Sequence, residues 1–185
     1  MAAVMGTLLT VPARGRPDLL AGPVATALAG WARADEVQVA EIDPELADTA
    51  AFCAAYQVRP EASANCVVIA GKRDGQVRYA ACLVLATTRA DVNGVVRRRL
   101  DVRKASFAAM DTAVAETGMQ YGGITAIGLP AGWPVLVDAA VARAGEVVIG
   151  SGIRGSKLLL PGPALTDLPG AELVEGLGTP VETSR

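Results

Sequence analysis

The sequence contains no histidine among its 185 residues. Without an imidazole there can be no Ser-His-Asp triad and no Cys-His pair. There can also be no histidine metal ligand and no histidine proton shuttle near neutral pH. Any catalysis by this chain therefore relies on carboxylates, lysine, hydroxyls, backbone amides or groups of the substrate itself. We expect neither a cofactor nor a metal.

Cysteine is also scarce. The chain has three, Cys53, Cys66 and Cys82, an odd number without a CxxC spacing. This pattern argues against a disulfide framework or a zinc ribbon and fits a reducing compartment. Each cysteine lies in an apolar stretch, so one interpretation is that all three are small buried core residues. The alternative is that one of them is a nucleophile.

Long hydrophobic runs are missing as well. No stretch approaches the roughly 18 apolar residues of a membrane-spanning helix. The first residues lack the basic region of a signal peptide, because Arg14 and Arg16 follow the apolar run instead of preceding it. We therefore expect a cytoplasmic protein with no membrane partner. With 51% hydrophobic and 19% charged residues, the composition predicts one globular domain and not a disordered chain.

What the sequence does contain is an interleaving of helix and strand patterns. Apolar runs at 66–70 and 77–86, separated by turn residues at 71–75, predict a β-hairpin. Further strands are expected near 37–42, 103–108, 135–137, 147–149, 157–160 and 171–174, and helices near 19–31, 43–58, 91–100, 111–117 and 164–168. The hairpin and the closely spaced late strands exclude a purely parallel sheet. The predicted class is therefore α+β with a mixed sheet.

The most informative segment is glycine-rich and covers 118–129, with glycines at 118, 122, 123 and 128. Glycine can adopt positive φ and approach a ligand closely, and successive backbone amides can form a concave site for an anion or an oxyanion. The segment lacks the GK[ST] of a Walker loop and the dinucleotide pattern. It is either a ligand-binding loop or a plain connection between a helix and a strand.

Two other features follow predicted strands. Residues 150–155 form a second glycine cluster. There Ser151 could hydrogen-bond a substrate amine or hydroxyl, and Arg154 could contact a phosphate or a carboxylate. A tight turn is the alternative. Asp138 ends the strand at 135–137, where it either caps the following short helix or places its carboxylate at the edge of a pocket.

The only dense basic cluster comprises the arginines at 97–99 together with Arg103 and Lys104. Three consecutive arginines cannot all share one helix face. The cluster is either a solvated surface with its side-chain stems packed flat or a phosphate-binding patch for nucleic acid.

Four segments, in this order, resemble the YbaK family, which includes the editing domains associated with prolyl-tRNA synthetase. They are the start of a strand at 62–68, the helix and strand at 91–108, the loop at 116–118 and 122–128, and the paired segments 133–138 and 147–155. The resemblance runs from about Leu46 to Gly176. It implies the family's fold, a mixed, partly barrel-like sheet with surrounding helices.

The domain organisation expected from this resemblance is a single domain over 1–185. It comprises an N-terminal extension at 1–18, a YbaK-like core at 42–176 and a flexible tail at 177–185. The tail is polar after Gly176, which is typical of frayed chain ends.

The resemblance implies an aminoacyl-tRNA deacylase acting in trans, which hydrolyses a mischarged amino acid from tRNA after the synthetase has released it. Its partner is the aminoacylated 3′ end of tRNA, and a synthetase is a further candidate partner. The family's catalytic loop corresponds to Gly122, Gly123, Ile124, Thr125 and Ala126, whose backbone amides would stabilise an oxyanion. The predicted substrate-binding residues are Asn65, Asp138, Gly150, Ser151, Gly152 and Arg154.

Three positions depart from the family pattern. Asn65 stands where many members carry a lysine that meets the terminal phosphate or ribose of the tRNA, and asparagine brings no charge. Ala126 replaces the loop proline, and Gly150 takes the position of the usual serine, with Ser151 one place later. The alternative function is therefore a catalytically weak or inactive binder of tRNA or of a small aminoacyl-like ligand.

Overall fold

Residues 6–181, which the computed structural model describes, form three sheets joined by short helices. The strands are β1 (Thr10–Pro12), β2 (Gln38–Glu41), β3 (Ala64–Arg73), β4 (Gln76–Leu85), β5 (Thr88–Ala90), β6 (Ala105–Phe107), β7 (Val135–Asp138), β8 (Glu146–Gly150), β9 (Ser156–Pro161), β10 (Ala171–Val174) and β11 (Gly178–Pro180). The α-helices are α1 (Gly22–Gly30), α2 (Thr49–Tyr56), α3 (Arg97–Leu100), α4 (Met110–Thr117) and α5 (Ala139–Arg143). None of the helices within 6–181 is both long enough and apolar enough to cross a membrane.

The largest sheet has five strands in the order β10-β7-β4-β3-β6. Its centre is the predicted hairpin, in which β3 and β4 pair antiparallel from Ala64 opposite Leu85 to Arg73 opposite Gln76. Strand β7 runs parallel to both β4 and β10. The sheet is therefore mixed, and the predicted α+β class is confirmed.

The second sheet has four antiparallel strands in the order β1-β2-β9-β8. A single bridge between Ser63 and Val148 joins its outer strand β8 to the residue that precedes β3. Both large sheets have open strand orders, so residues 6–181 contain no closed barrel. The junction at this bridge is where the main cleft lies.

The segment expected to form one helix from Asp43 is divided in two. Asp43 accepts a hydrogen bond from the Glu45 N–H (2.9 Å) and caps a 3₁₀ turn at Pro44–Leu46. Asp48 then takes an extended conformation before α2 begins. The extended residue stops the turn from continuing into α2, and the Ala47 carbonyl accepts a side-chain hydrogen bond from Lys157.

The helix predicted after Asp91 forms as expected, with the Asp91 carboxylate accepting from the N–H groups of Gly94 and Val95. Its first turns, Val92–Val96, are π-helical and continue into α3. The arginines of α3 lie on the surface, where Arg99 pairs with Glu172. This basic cluster takes no part in lining the main cleft.

Both chain ends contribute more structure than the sequence indicates. Strand β1, within the expected N-terminal extension, pairs with β2. Strand β11, within the expected flexible tail, pairs antiparallel with β5, and the preceding Leu177 is fully buried. The expectation of a flexible tail is therefore wrong for 177–180. A buried leucine and a strand partner hold this stretch in place. Positions 1–5 and 182–185 lie outside the described residues.

Candidate functional site

A cleft of about 440 Å³ opens where the two large sheets meet. It is bounded by the start of β3, the end of β8, the start of β9 and residues 47–49 before α2. The glycine-rich loop contributes 121, 122 and 124, and residues 107–113 complete the opposite side. Asn65, Gly122, Ile124 and Gly150 are the predicted site residues that the fold brings together there.

Some N–H groups of the glycine-rich loop are hydrogen-bonded within the protein and others are not. The Gly123 N–H donates to the Gln120 carbonyl oxygen (2.9 Å), and the Thr125 N–H points at the Met119 sulfur (3.5 Å). Gly122 and Ile124 line the cleft, and within residues 6–181 their N–H groups have no acceptor. Of the five predicted catalytic residues, these two therefore offer donors to a ligand. Gly123, Thr125 and Ala126 lie behind the wall.

The second glycine cluster supports this loop from behind. The Gly152 N–H donates to the Gly123 carbonyl oxygen (2.7 Å). A Cβ on Gly123 would lie 2.5 Å from the Ile153 carbonyl oxygen, and a Cβ on Gly150 would lie 2.5 Å from that of Gly123. The two segments therefore touch backbone to backbone, which only glycine permits. Gly150 faces the cleft, whereas the predicted ligand Gly152 does not.

Ser151 does not reach the cleft. Its hydroxyl is fully buried and lies 2.7 Å from the Ser156 hydroxyl and 3.1 Å from the Ser156 carbonyl oxygen. Ser156 in turn donates to the Leu19 carbonyl oxygen (2.6 Å). The prediction that Ser151 binds substrate is wrong, because these internal partners consume the hydroxyl.

Arg154 braces the glycine-rich loop and does not line the cleft. Its guanidinium donates to the carbonyl oxygens of Pro44 (3.0 Å) and Tyr121 (3.4 Å), and its backbone N–H donates to the Gln120 side chain. The guanidinium also lies 3.9 Å from the Asp48 carboxylate, so partners within the protein engage the group that was predicted to contact a phosphate or carboxylate of the substrate. Arg154 ties the glycine-rich loop to the turn that precedes α2.

Asp138 lies away from the cleft, under β11. Burial raises the pKa of its carboxyl, and the N–H groups of Gly178, Ala140 and Ala139 oppose that shift. These contacts belong to the start of α5 and to β11. Asp138 therefore occupies the position before α5, as the first interpretation predicts. It does not lie at the edge of the cleft.

The opposite wall holds polar residues that sequence reasoning missed. The Thr49 hydroxyl donates to the Asn65 amide oxygen (2.6 Å), and Ser63 and Lys157 line the cleft beside them. The one available signal for Lys157 was its position. It is a single charge in the apolar strand at 156–161, where an unpaired lysine is rare.

The mouth of the cleft is apolar. Phe107, Met110 and Tyr121 all line it, and their surfaces are 60%, 50% and 53% exposed. The chain has seven aromatic residues, all within 6–181, and Phe107 and Tyr121 are the two that fall in the exposed class. Flat, exposed rings at a cleft mouth are suited to stacking against planar ligand groups.

Comparison with known families decides the relationship. The family model of the aminoacyl-tRNA editing domain matches residues 43–168. The chain belongs to this family. The match includes both glycine segments and the whole of the cleft, so the geometry described above is that of an editing domain.

Solved structures share the fold of this editing domain at low sequence identity. One, described as a candidate trans-editing enzyme for prolyl-tRNA synthetase, is 19% identical with a TM-score of 0.71, over 84% of this chain and 94% of the other. A scaffold used for computational epitope grafting is 21% identical with a TM-score of 0.70, over 87% and 97%. A hypothetical protein is 18% identical with a TM-score of 0.69, over 80% and 95%. A search of curated proteins finds no match.

Thr125 of the glycine-rich loop carries a buried hydroxyl group whose contribution to stability can be measured. Its side chain is fully buried, and its hydroxyl has no hydrogen-bond partner within residues 6–181. An unpaired buried hydroxyl costs free energy. We therefore expect Thr125→Val to leave the free energy of unfolding unchanged or raise it by about 1 kcal/mol. Chemical denaturation measures the stability. A loss of more than 1 kcal/mol would show that the hydroxyl has a partner.

The cysteines of this editing domain are expected to be inert. Burial raises the pKa of the Cys66 thiol, which lies at the cleft, and raises that of Cys82 to about 12. Both thiols are therefore protonated at neutral pH, and the thiolate is the reactive form. We expect less than one thiol per chain to react with iodoacetamide at pH 7.5 in the folded protein, counted by intact mass. Denatured protein, in which all three should react, is the control. Rapid modification of Cys66 would contradict this expectation.

Proposed function

We propose that this editing domain hydrolyses the ester bond of a mischarged aminoacyl-tRNA. The observation that carries the proposal is the pair of unused N–H groups, those of Gly122 and Ile124, on the wall of the cleft. Family membership supports the substrate class. The absence of histidine is no obstacle, because an aminoacyl ester is already activated toward water.

In the proposed reaction the ester carbonyl oxygen accepts hydrogen bonds from the N–H groups of Gly122 and Ile124. Water attacks the carbonyl carbon, and the negative charge that develops on the oxygen is stabilised by these two donors. The bond between the carbonyl carbon and the ribose oxygen then breaks, and that oxygen takes up a proton from the attacking water. A single donor of this kind lowers the barrier by about 2.7–4 kcal/mol.

In the proposed reaction the remaining ribose hydroxyl of the substrate orients the water. No side chain of the cleft is then required as a base. The Thr49 hydroxyl is engaged by Asn65 (2.6 Å), and the Cys66 thiol is held protonated by its raised pKa. The chemistry thus depends on the backbone and on the substrate.

The apolar mouth supports a nucleic-acid end as the carrier of the ester. Stacking of a base on an aromatic side chain contributes about 1–3 kcal/mol and tolerates any base. Phe107 and Tyr121 offer such surfaces beside the cleft. The structural relative described as a candidate trans-editing enzyme for prolyl-tRNA synthetase supports action on tRNA released from a synthetase, with a synthetase as a candidate partner.

The test is a deacylation screen over a panel of mischarged tRNAs, with the amino acid carrying a radioactive label. We expect at least one species to lose its amino acid faster with the protein than in buffer alone. Gly15→Ala is a control variant and should deacylate at the wild-type rate, since a Cβ there meets nothing within 4 Å. If every species survives at the spontaneous rate, the deacylase proposal fails. Salt-dependent tRNA binding without turnover would then identify the non-catalytic binder.

A further inference from the structure

Lys157 lines the cleft and is 9% exposed. It is the second residue of β9 and stands opposite Gly150 of β8. Gly150 in turn abuts the Gly123 carbonyl of the glycine-rich loop. The lysine backbone is thus one strand, about 4.8 Å, from the residue that touches the proposed oxyanion loop.

The ammonium of Lys157 is only partly satisfied by the protein. Its Nζ donates to the Ala47 carbonyl oxygen (3.0 Å) and lies 5.1 Å from the centre of the Phe52 ring. An ammonium has three donors, and among the described residues it has one acceptor. Within residues 6–181 no carboxylate lies within 4.0 Å of Nζ, and Asp48 acts only at longer range.

A buried cation without a counter-ion is electrostatically unfavourable. Burial removes the ammonium from water, and the Ala47 carbonyl and the Phe52 ring offset the lost hydration only in part. The same surroundings favour a ligand that brings a negative charge and accepts the two remaining N–H groups. Carboxylate oxygens do both.

We propose that Lys157 is the specificity-determining residue of this site, and that it binds the side-chain carboxylate of the aminoacyl group. The substrate class is then an ester of an acidic amino acid. This inference rests on the proposed function. In this arrangement the ester lies against Gly122 and Ile124, and the nucleotide extends toward solvent beside Tyr121. The aminoacyl side chain is the free end of the substrate and reaches Lys157.

A phosphate of the nucleotide is the other anionic group of such a substrate. It belongs to a chain that must leave through the mouth, where Phe107, Met110 and Tyr121 are exposed. Lys157, in contact with Ala47 and Phe52, is 9% exposed and too enclosed for a chain that must leave the cleft. The geometry therefore favours the carboxylate.

Binding of the carboxylate requires the ammonium form. Burial lowers the pKa of Lys157 below its ordinary 10.5, with smaller effects from Cys53 and Asp48, which raise it, and from Arg154, which lowers it. Affinity for an acidic ligand is therefore expected to fall as pH rises through this lowered pKa. Affinity for a neutral ligand should not follow that titration.

The experiment uses analogues in which an amide replaces the ester, so that no turnover is needed. Aspartyl and glutamyl amides of 3′-amino-3′-deoxyadenosine are compared with their asparaginyl and glutaminyl counterparts by isothermal titration calorimetry, each with and without a 5′-phosphate. For the wild-type protein we expect at least one acidic analogue to bind about 10- to 100-fold more tightly than its amide. Lys157→Met should remove this difference. Lys104→Met, on an exposed lysine outside the cleft, should retain it.

Equal affinity of acid and amide for the wild-type protein would overturn the proposal. So would a loss in Lys157→Met confined to the 5′-phosphorylated analogues, which would assign the lysine to phosphate. If Lys157→Met does not fold, the wild-type acid-to-amide ratio and its decline with pH decide the question. Because the analogues are not hydrolysed, this result is separate from that of the deacylation screen. The screen alone reports a failure of the proposed function.

Discussion

Gly123→Ala is expected to lower kcat/KM for deacylation by about 10²- to 10³-fold, the effect of losing one oxyanion donor. The added Cβ would lie 2.5 Å from the carbonyl oxygen and 2.6 Å from the carbonyl carbon of Ile153. Two backbone segments must separate to admit it, and the Gly122 and Ile124 amides move with them. The measurement is single-turnover deacylation of the tRNA that the screen identifies.

The matched control is Gly155→Ala, in the second glycine segment itself. A Cβ there would meet Pro44 at 3.8 Å, an ordinary contact, and Gly155 does not have positive φ. We expect its rate to equal that of the wild type. The free energy of unfolding of Gly123→Ala should fall by about 1–3 kcal/mol, as for other overpacked sites. A folded Gly123→Ala protein with wild-type kcat/KM would refute the assignment of the loop.

Arg154→Met is expected to lower kcat/KM by about 10- to 100-fold, although the Arg154 side chain does not itself line the cleft. The variant loses the hydrogen bonds from the guanidinium to the Pro44 and Tyr121 carbonyl oxygens. Because Tyr121 precedes Gly122, loss of this hydrogen bond frees the backbone that carries the Gly122 N–H, the proposed donor. Loss of charge-assisted hydrogen bonds should also reduce the free energy of unfolding by about 1.5 kcal/mol.

Arg143→Met is the control for this change. Arg143 pairs with Glu175 at 2.8 Å on the surface, with both side chains mostly exposed, and such pairs contribute little to stability. We expect wild-type activity from it. Arg154→Lys separates charge from geometry, because lysine cannot reproduce the forked contacts of arginine. Full activity in Arg154→Lys would mean that positive charge, and not bracing, is what the loop requires.

Much of the fold followed from local patterns. The hairpin was predictable because two apolar runs flank a turn that contains Gly75, and the helix after Asp91 was predictable from its cap. The split before α2 was not, because the break at Asp48 depends on tertiary contacts with Ala47. Strand β11 was missed because a three-residue strand carries too little hydrophobic pattern to stand out from a polar end.

The site was predictable in part, for a physical reason. The loop could be located because glycines are visible in a sequence, but which of its amides are free depends on pairing that only the fold reveals. Ser151 and Arg154 have chemistry suited to a ligand, yet both are consumed by internal partners. Lys157 approaches Asn65 from another sheet, and one sequence contains no signal for such long-range proximity.

The backbone-to-backbone contact between Gly123 and Gly150 divides the cleft into a fixed wall and an adjustable one. Laboratory evolution toward other amino acids would gain nothing from mutagenesis of the fixed wall, where any side chain displaces the loop. A library confined to Thr49 and Asn65, which lie on the facing wall, would change the shape of the cleft while preserving the proposed oxyanion loop.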